Sequence, residues 1–334
     1  MAFPFPASTV TGSGIPSSLA IYYDRKSIAN LLANTPYHLA LTKKPIPANS
    51  GKTIQLQEWS LSVFGADTTA ATEGTPPTAL TPTATSLQAT LATYSDAITL
   101  SKLISDTTIM PIVTELSELM GYKAALSVNA LSLAALESAV AADATLNFVQ
   151  PAGSYMTSSL LRQRVADLIN RNAVGYPELD GQFYGFTSPL VLQDLFSDTA
   201  NNGVVDVLKR NPEGQRQLLD ATPTNANYRQ AGSWAGVTMI STTTAPTYAN
   251  TPTTGDTAYG FHICAQDCAF AVTLGGNEVP EDRNYKAIVT NFTPSLADPV
   301  GEVASAVAYR FNWTSAIRPI EQAVERIQTE VSAT

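Results

Sequence analysis

Four consecutive residues, Ser50-Gly51-Lys52-Thr53, have the composition of the end of a phosphate-binding loop. That loop needs an earlier glycine so that backbone amides can surround a phosphate, and a helix must follow it. Ile46 occupies the position of the earlier glycine, and the residues after Thr53 alternate as they do in a strand. The sequence therefore argues against a nucleotide site.

Three neighbouring residues, His262, Cys264 and Cys268, carry side chains that bind metal ions. A tetrahedral zinc site takes four such ligands, and the only other histidine in the chain is His38. We expect buried thiols and no metal, since a small buried cysteine is common at a strand end. Four residues apart on one strand, the two thiols would also be too distant for a disulfide.

Catalytic candidates are few. Acid–base and nucleophilic chemistry needs a histidine, a thiol or paired carboxylates held near a reacting group. The chain has two histidines and neither a G-x-S-x-G motif nor a Cys/His signature. Glu115 and Glu118 lie at helical spacing, where carboxylates ordinarily form a solvated face. We therefore predict that the protein is not an enzyme and uses no cofactor.

The charge pattern argues against a dedicated nucleic-acid-binding protein. The net charge is -9, and 14% of the residues are charged. An acidic chain gains no counterion-release affinity for phosphate backbones, so it could enclose DNA without binding it. The short basic pairs are predicted to be surface or subunit contacts: Lys43-Lys44, Arg162 with Arg164, and Lys209-Arg210. Because few charges keep copies apart, we expect neighbouring molecules to cover much of the surface.

The N-terminal region lacks the basic start and apolar run of a signal peptide. We also find no apolar stretch of about 18 residues, and so predict no membrane span. Residues 1 to 20 are rich in Pro, Gly and Ser, which predicts a loose arm held by something outside its own fold. A short helix is predicted from Asp24 to Leu32.

Residues 53 to 100 alternate as two strands. Each strand changes phase once: Ile54 and Leu56 give way to Trp59, Leu61 and Val63, and Leu87, Ala89 and Leu91 give way to Tyr94, Ile98 and Leu100. We interpret each phase change as a bulge or twist. The turn residues Glu73-Gly74-Thr75-Pro76-Pro77, centred on Thr75, lie midway between the two changes. The pattern predicts one long hairpin with its tip near 73 to 78 and residue i opposite roughly residue 150 minus i.

The middle of this hairpin is a ribbon that is poor in large apolar side chains. Between 66 and 93, 17 of 28 residues are Thr or Ala, and only Asp67 and Glu73 are charged. Such a ribbon cannot bury enough apolar area to be stable alone. We predict an arm that lies across a neighbouring subunit; a disordered linker is the alternative.

A long helix is predicted from Asp106 to Ala142, opened by Pro111 and about 55 Å long at 1.5 Å per residue. Its apolar stripe follows Ile109, Val113, Leu116, Met120 and Ala124, and its heptads are too irregular for a coiled coil. Residues 155 to 265 are predicted to be mixed α/β, with a helix capped by Ser158 or Ser159. The clearest strand runs from Val303 to Ile317.

Several stretches are similar to the shell proteins of phages like the coliphage with the large virion RNA polymerase. They are Tyr23-Asp24-Arg25-Lys26, Ser50-Gly51-Lys52-Thr53-Ile54, Thr72-Glu73-Gly74, Tyr94-Ser95-Asp96, Ala269 to Gly276, and Asp298-Pro299. The order of parts also resembles the Hong Kong-97-type fold of tailed-bacteriophage major capsid proteins. The resemblance implies an α+β fold with an N-arm, an extended β-hairpin loop, a long spine helix, and peripheral and axial domains.

On that resemblance we assign residues 1–45 to the N-terminal arm, 46–103 to the extended loop and 104–154 to the spine helix. Residues 155–265 then form the axial domain, and 266–334 form the peripheral β-sheet and C-terminus. The predicted subunit contacts are Arg25, Lys26, Glu58, Trp59, Glu73, Gly74, Pro76 and Pro77. Some relatives weld their shells through a lysine on the extended loop. This chain has no lysine between Lys52 and Lys102, so we predict no cross-link.

The resemblance implies a major capsid protein whose copies form hexamers and pentamers of an icosahedral head around double-stranded DNA. Implied partners are a portal, a separate scaffolding protein and cement proteins, with assembly in the host cytoplasm and residence in the virion. The alternatives are an encapsulin-like nanocompartment shell protein, which would hold an enzyme cargo, and a β-rich virion decoration protein.

Overall fold

The structure is a computed structural model. It describes residues 36–46, 51–59, 81–100, 112–142, 144–151, 153–199, 228–249, 257–274, 285–290, 305–317 and 323–332. Several predictions lie outside these residues, namely the helix from Asp24 to Leu32, the hairpin tip, the start of the long helix and the loop from Asn201 to Asn227.

Fourteen strands and three α-helices make up the described part of the chain. In chain order the strands are β1 (Leu41–Ile46), β2 (Thr53–Trp59), β3 (Ala84–Thr90), β4 (Ala92–Leu100), β5 (Asn147–Val149), β6 (Phe183–Thr187), β7 (Tyr228–Trp234), β8 (Val237–Thr242), β9 (Thr247–Ala249), β10 (Thr257–Cys264), β11 (Ala269–Leu274), β12 (Tyr285–Thr290), β13 (Ser305–Ile317) and β14 (Val324–Thr329). The helices are α1 (Ile112–Ala142), α2 (Ser158–Asn170) and α3 (Pro189–Ser197), and a 3-10 helix, Pro36–Ala40, precedes β1.

Two large sheets organise these elements. A five-stranded sheet has the order β1-β11-β13-β12, with β4 also paired to β13. A seven-stranded sheet has the order β5-β14-β10-β6-β8-β7, with β9 paired to β10. The chain passes from one sheet to the other between β10 and β11, through the turn at residues 265–268. Among the described residues, strands β2 and β3 pair with each other and with no other strand, as a separate ribbon.

Helix α1 lies against both sheets, with contacts to β13 in one and β14 in the other. Met120, Ala124 and Leu136 on its apolar side are buried, and burying a Met or Leu side chain contributes about 2 kcal/mol. The prediction of a long helix with this stripe is confirmed from Ile112 to Ala142.

The prediction that no segment is long and apolar enough to cross a membrane was wrong. By length and composition alone, residues Ile112–Ala141 of α1 qualify. A helix in the core of a folded domain can have the same composition, because its apolar side chains contact other parts of the protein instead of lipid. Here Asn129 is also buried, and its side chain accepts a hydrogen bond from the backbone N–H of Tyr37 at 3.1 Å. Helix α1 therefore serves as the central element between the sheets.

Strand β13 shows the alternation that its sequence predicts. Val307, Tyr309, Phe311 and Trp313 are buried on the side that packs against α1, and Arg310 is exposed on the other side. Cross-strand pairing places Tyr94 of β4 opposite Phe311, and their rings stack with centroids 5.3 Å apart. Aromatic pairs of this kind add about 1 kcal/mol beyond their buried area.

The seven-stranded sheet is built on strands that are buried on both faces, including the whole of β6. Helix α3 opens with Pro189 directly after the N-cap Ser188. Helix α2 is capped by Thr157, whose side chain accepts a hydrogen bond from the backbone N–H of Leu160. The prediction of Ser158 or Ser159 as the cap was wrong, because Thr157 is the extended residue that can present its hydroxyl to the first turn.

Strand pairing crosses the boundaries between the predicted segments. Strand β14 follows residue 266 in the sequence, yet it pairs with β10 and β5 in the seven-stranded sheet. Strand β5, which falls in the segment assigned to the spine helix, lies in the same sheet. Alternation along a strand predicts which side is buried but says nothing about the partner strand.

The predicted hairpin register was wrong. Strands β2 and β3 are antiparallel, and Thr53 pairs with Thr90 and Trp59 with Ala84. Paired residue numbers therefore sum to 143, not 150. The phase change after Leu91 is not a bulge within the hairpin, because β4 leaves β3 and pairs with β13. The second strand of the predicted hairpin thus belongs to two different sheets.

Candidate assembly surface

The ribbon formed by β2 and β3 has two unlike faces. Ile54, Leu56 and Ala89 lie on the inward face, and pairing places Ile54 directly opposite Ala89. These side chains, together with Leu91, pack against Ile46 of β1 and Val272 of β11. The base of the ribbon is therefore fixed to the five-stranded sheet by a small apolar cluster of its own.

The outward face of the ribbon points away from this cluster. Paired positions on this face are Thr53 with Thr90, Gln55 with Gln88, Gln57 with Ser86 and Trp59 with Ala84. Seven of the eight residues are exposed, Thr53 being half-buried. The Thr53 and Thr90 hydroxyl oxygens are 3.4 Å apart. Trp59 is 56% exposed at the far end of β2, which is unusual for so large an apolar side chain.

Strand β4, which pairs with β13 of the five-stranded sheet, also has an exposed side. Tyr94 and Ile98 pack on the core, whereas Thr93, Ser95, Ala97 and Thr99 are exposed on the opposite side. The Thr93 hydroxyl donates to Asn312 Oδ1 at 2.7 Å. In the described part of the chain β4 pairs with β13 and with no other strand.

The structure places two of the predicted contact residues. Trp59 is exposed, and Glu58 lies on β2 with its backbone paired to Thr85. The other six, Arg25, Lys26, Glu73, Gly74, Pro76 and Pro77, lie outside the described residues. The polar residues Gln55, Gln57 and Gln88 are not among the predicted contacts, and alternation assigns them to the outward face once the strand partners are known.

Four ionisable side chains are joined by hydrogen bonds around Glu137 of α1. Its carboxylate accepts hydrogen bonds from His262 Nε2 at 2.6 Å, from the Tyr248 hydroxyl and from the Arg326 guanidinium. Arg326 also lies over the Tyr248 ring, 4.7 Å from its centroid. Burial alone would raise the pKa of Glu137, but His262, Tyr248 and Arg326 together lower it to about 2.

This group connects four elements of the fold. His262 is fully buried on β10, Tyr248 lies on β9, and Arg326 lies on β14. A charged carboxylate with three donors is satisfied electrostatically, so its role in the geometry described is to hold α1 onto the seven-stranded sheet.

The two cysteines do not lie on one strand, and that prediction was wrong. Cys264 ends β10, and Cys268 closes the turn before β11, where the backbone N–H of Cys268 donates to Ala265 O at 3.3 Å. The Cys268 thiol donates to Ala40 O at 3.5 Å and lies 3.9 Å from the Tyr176 hydroxyl. Both cysteines are buried and free. Burial raises the pKa of the Cys264 thiol well above its ordinary value, so it is held protonated.

Neither a metal site nor a phosphate loop is formed in the described residues. Among them, no three His, Cys, Asp or Glu side chains are placed to hold a metal ion. Gly51 adopts φ +98° at the entry to β2, a conformation that favours glycine. A strand follows it where a phosphate-binding loop requires a helix.

Comparisons with known proteins find likeness in structure only. No family model and no curated protein matches the sequence. The capsid of Ralstonia phage GP4 matches with a TM-score of 0.65 at 12% identity, over 100% of this chain and 98% of that one. The capsid of Cyanophage Pam1 matches with a TM-score of 0.62 at 13% identity, over 100% of both chains. The mature capsid of bacteriophage PhiM1 matches with a TM-score of 0.55 at 11% identity, over 98% and 92%. The chain therefore has the α+β fold of phage capsid proteins.

Proposed function

We propose that this chain is the major capsid protein of a tailed bacteriophage, a structural protein whose copies assemble into an icosahedral head around double-stranded DNA. The observation that carries this proposal is the likeness to phage capsid structures over the full length of the chain. The acidic net charge of -9 fits a container that encloses DNA without binding it.

The proposed mechanism is geometric. Copies form hexamers and pentamers, and the extended hairpin of each copy lies over an adjacent copy. In the part of the chain that the structure describes, the β2–β3 ribbon packs through its base on Ile46 and Val272. A two-stranded ribbon without further cover is marginal in water. Each contact is modest, and repetition around a closed shell makes the assembly stable.

We also propose which residues make the contacts between copies and which elements form each part of the shell protein. The contact residues would be Trp59 and Glu58 on the ribbon, together with Arg25, Lys26, Glu73, Gly74, Pro76 and Pro77. In the proposed anatomy β2 and β3 belong to the extended loop, α1 is the spine helix, and the two large sheets form the peripheral and axial regions. The sequence motifs support kinship with the shell proteins of phages like the coliphage with the large virion RNA polymerase.

We further propose a portal, a separate scaffolding protein and cement proteins as partners, with assembly in the host cytoplasm and no catalysis by the shell.

Electron microscopy of particles purified from host cells infected with the phage tests the proposed function. Closed shells containing nuclease-resistant DNA are expected. Closed shells that hold an enzyme and no DNA would favour a nanocompartment, and a monomer that never closes would refute the proposal.

A further inference from the structure

Helix α1 carries apolar side chains on a side that the rest of the described chain leaves exposed. Four of them recur every three or four residues and form what we call the outer stripe: Leu119, Tyr122, Leu126 and Ala130. Leu119 is 59% exposed and Tyr122 39%, Ala130 is exposed, and Leu126 is half-buried. Residues at this spacing share one helix face. Single exposed apolar residues are ordinary, but a row of them on one face marks a surface that another element covers.

The described chain begins beside the outer stripe. Its first element, the 3-10 helix Pro36–Ala40, contacts α1. The backbone N–H of Tyr37 donates to Asn129 Oδ1 at 3.1 Å. Asn129 comes directly before Ala130 and three residues after Leu126. Residues 1–35, which lie outside the described residues, therefore join the described chain at the level of the stripe.

The sequence just before Pro36 has a pattern that fits this surface. Ile28, Leu31 and Leu32 fall on one face of the helix that the spacing predicts from Asp24 to Leu32. A helix this short is marginal in water unless its apolar face packs on another element. Contact between that face and the outer stripe would remove apolar surface from water on both sides.

We infer that residues 24–32 pack as a helix along the outer stripe of their own chain, with Ile28, Leu31 and Leu32 against α1. This packing takes place within one chain, so it does not depend on the proposed function.

The length of the connection selects the chain. The four residue steps from Leu32 to Pro36 span at most about 14 Å. Tyr122 lies seven residues from Asn129, which is about 10 Å along the helix at 1.5 Å per residue. The stripe of the same chain is therefore within reach, and a segment held so close has a high effective concentration there. A second copy or a different protein has no such advantage.

A pair of introduced cysteines tests the contact in the unassembled, full-length chain. Ile28→Cys is combined with Tyr122→Cys on the stripe, and cysteine is apolar enough to keep the contact. The control combines Ile28→Cys with Ser138→Cys, an exposed position about 13 Å from Asn129 on the polar side of α1. The native cysteines are buried and free, and each doubly substituted chain is compared with its two single variants.

We expect the pair with Tyr122→Cys to form an intrachain disulfide at least about tenfold faster than the pair with Ser138→Cys. A segment that is tethered but not packed reaches both positions alike, so equal rates would overturn the inference. Disulfide-linked dimers in place of the intrachain bond would overturn it as well, and would assign the stripe to a second copy. A denaturing gel without reductant separates these outcomes.

Trypsin gives a second readout, because cleavage after Arg25 or Lys26 requires the segment to leave its packed state. Tyr122→Asp should speed this cleavage at least about tenfold in the unassembled chain, as followed by mass spectrometry. The matched control, Gln163→Asp at an exposed position on α2, should be cut as slowly as wild type. Cleavage of wild type as fast as that of Tyr122→Asp would contradict the inference. Protection that arises only when another virion protein is added would assign the stripe to that protein instead.

Discussion

The Glu137 carboxylate accepts three side-chain hydrogen bonds. Removal of its charge should therefore lower the free energy of unfolding. In Glu137→Gln the amide can accept fewer of the three hydrogen bonds, and Arg326 loses its charged partner. Because the Glu137 side chain is 26% exposed, we expect a loss of about 2–3 kcal/mol, toward the lower end of values for breaking a buried pair.

Urea denaturation measures this loss. Glu115→Gln is the matched control, since Glu115 is an exposed residue in the first turn of α1 and should change stability by less than about 1 kcal/mol. Equal effects of the two substitutions would show that the contacts of Glu137 do not hold α1 in place.

His38 makes the fold sensitive to mild acid. Burial, with a smaller effect from Lys43, lowers the pKa of His38 from 6.5 to about 4, and its ring lies against Trp313 with centroids 5.1 Å apart. The unfolded chain therefore binds more protons than the folded one between these two values. Stability should fall as the pH drops from about 6.5 toward 4, by about 2 kcal/mol at pH 5.

The measurement is urea denaturation at pH 7.5 and pH 5 for wild type and for His38→Asn. The variant lacks the ionisable ring, so its loss of stability between the two pH values should be smaller than that of wild type by the amount given above. An identical pH dependence in both proteins would mean that His38 is not the group responsible.

At the scale of elements, alternation and apolar spacing predicted α1 and β13 well, because each has one side on the core and the pattern follows directly from burial. The register of β2 and β3 could not be predicted, because the Thr and Ala residues of the ribbon fit many pairings equally well. The exposed glutamines Gln55, Gln57 and Gln88 could not be predicted as contacts for a related reason. A polar residue on a strand can be assigned to the outward face only when its partner strand is known.

Deletion of residues 66–85 tests the ribbon as an element. It removes residues 66–83 of the segment between β2 and β3 together with the first two residues of β3, and it leaves the cluster around Ile46 and Val272 in place. We expect a soluble chain that keeps its cooperative unfolding and does not form shells. Normal particles from this deletion would refute the assembly role of the hairpin, as judged by electron microscopy and sedimentation.

At the scale of the whole molecule, the chain joins two sheets through α1 and presents a surface poor in charge. Lysine is absent between Lys52 and Lys102, so the proposed shell should be held by non-covalent contacts alone. Mature particles boiled in detergent should run as a single-chain band on a denaturing gel. A ladder of higher bands under reducing conditions would contradict this.

A three-dimensional reconstruction of the assembled particle shows directly whether the β2–β3 ribbon contacts an adjacent copy. We expect a closed shell in which density for the ribbon of each copy lies across the surface of an adjacent copy, with Trp59 in the contact. A ribbon folded back along its full length onto its own chain, with no neighbour touching it, would contradict the account.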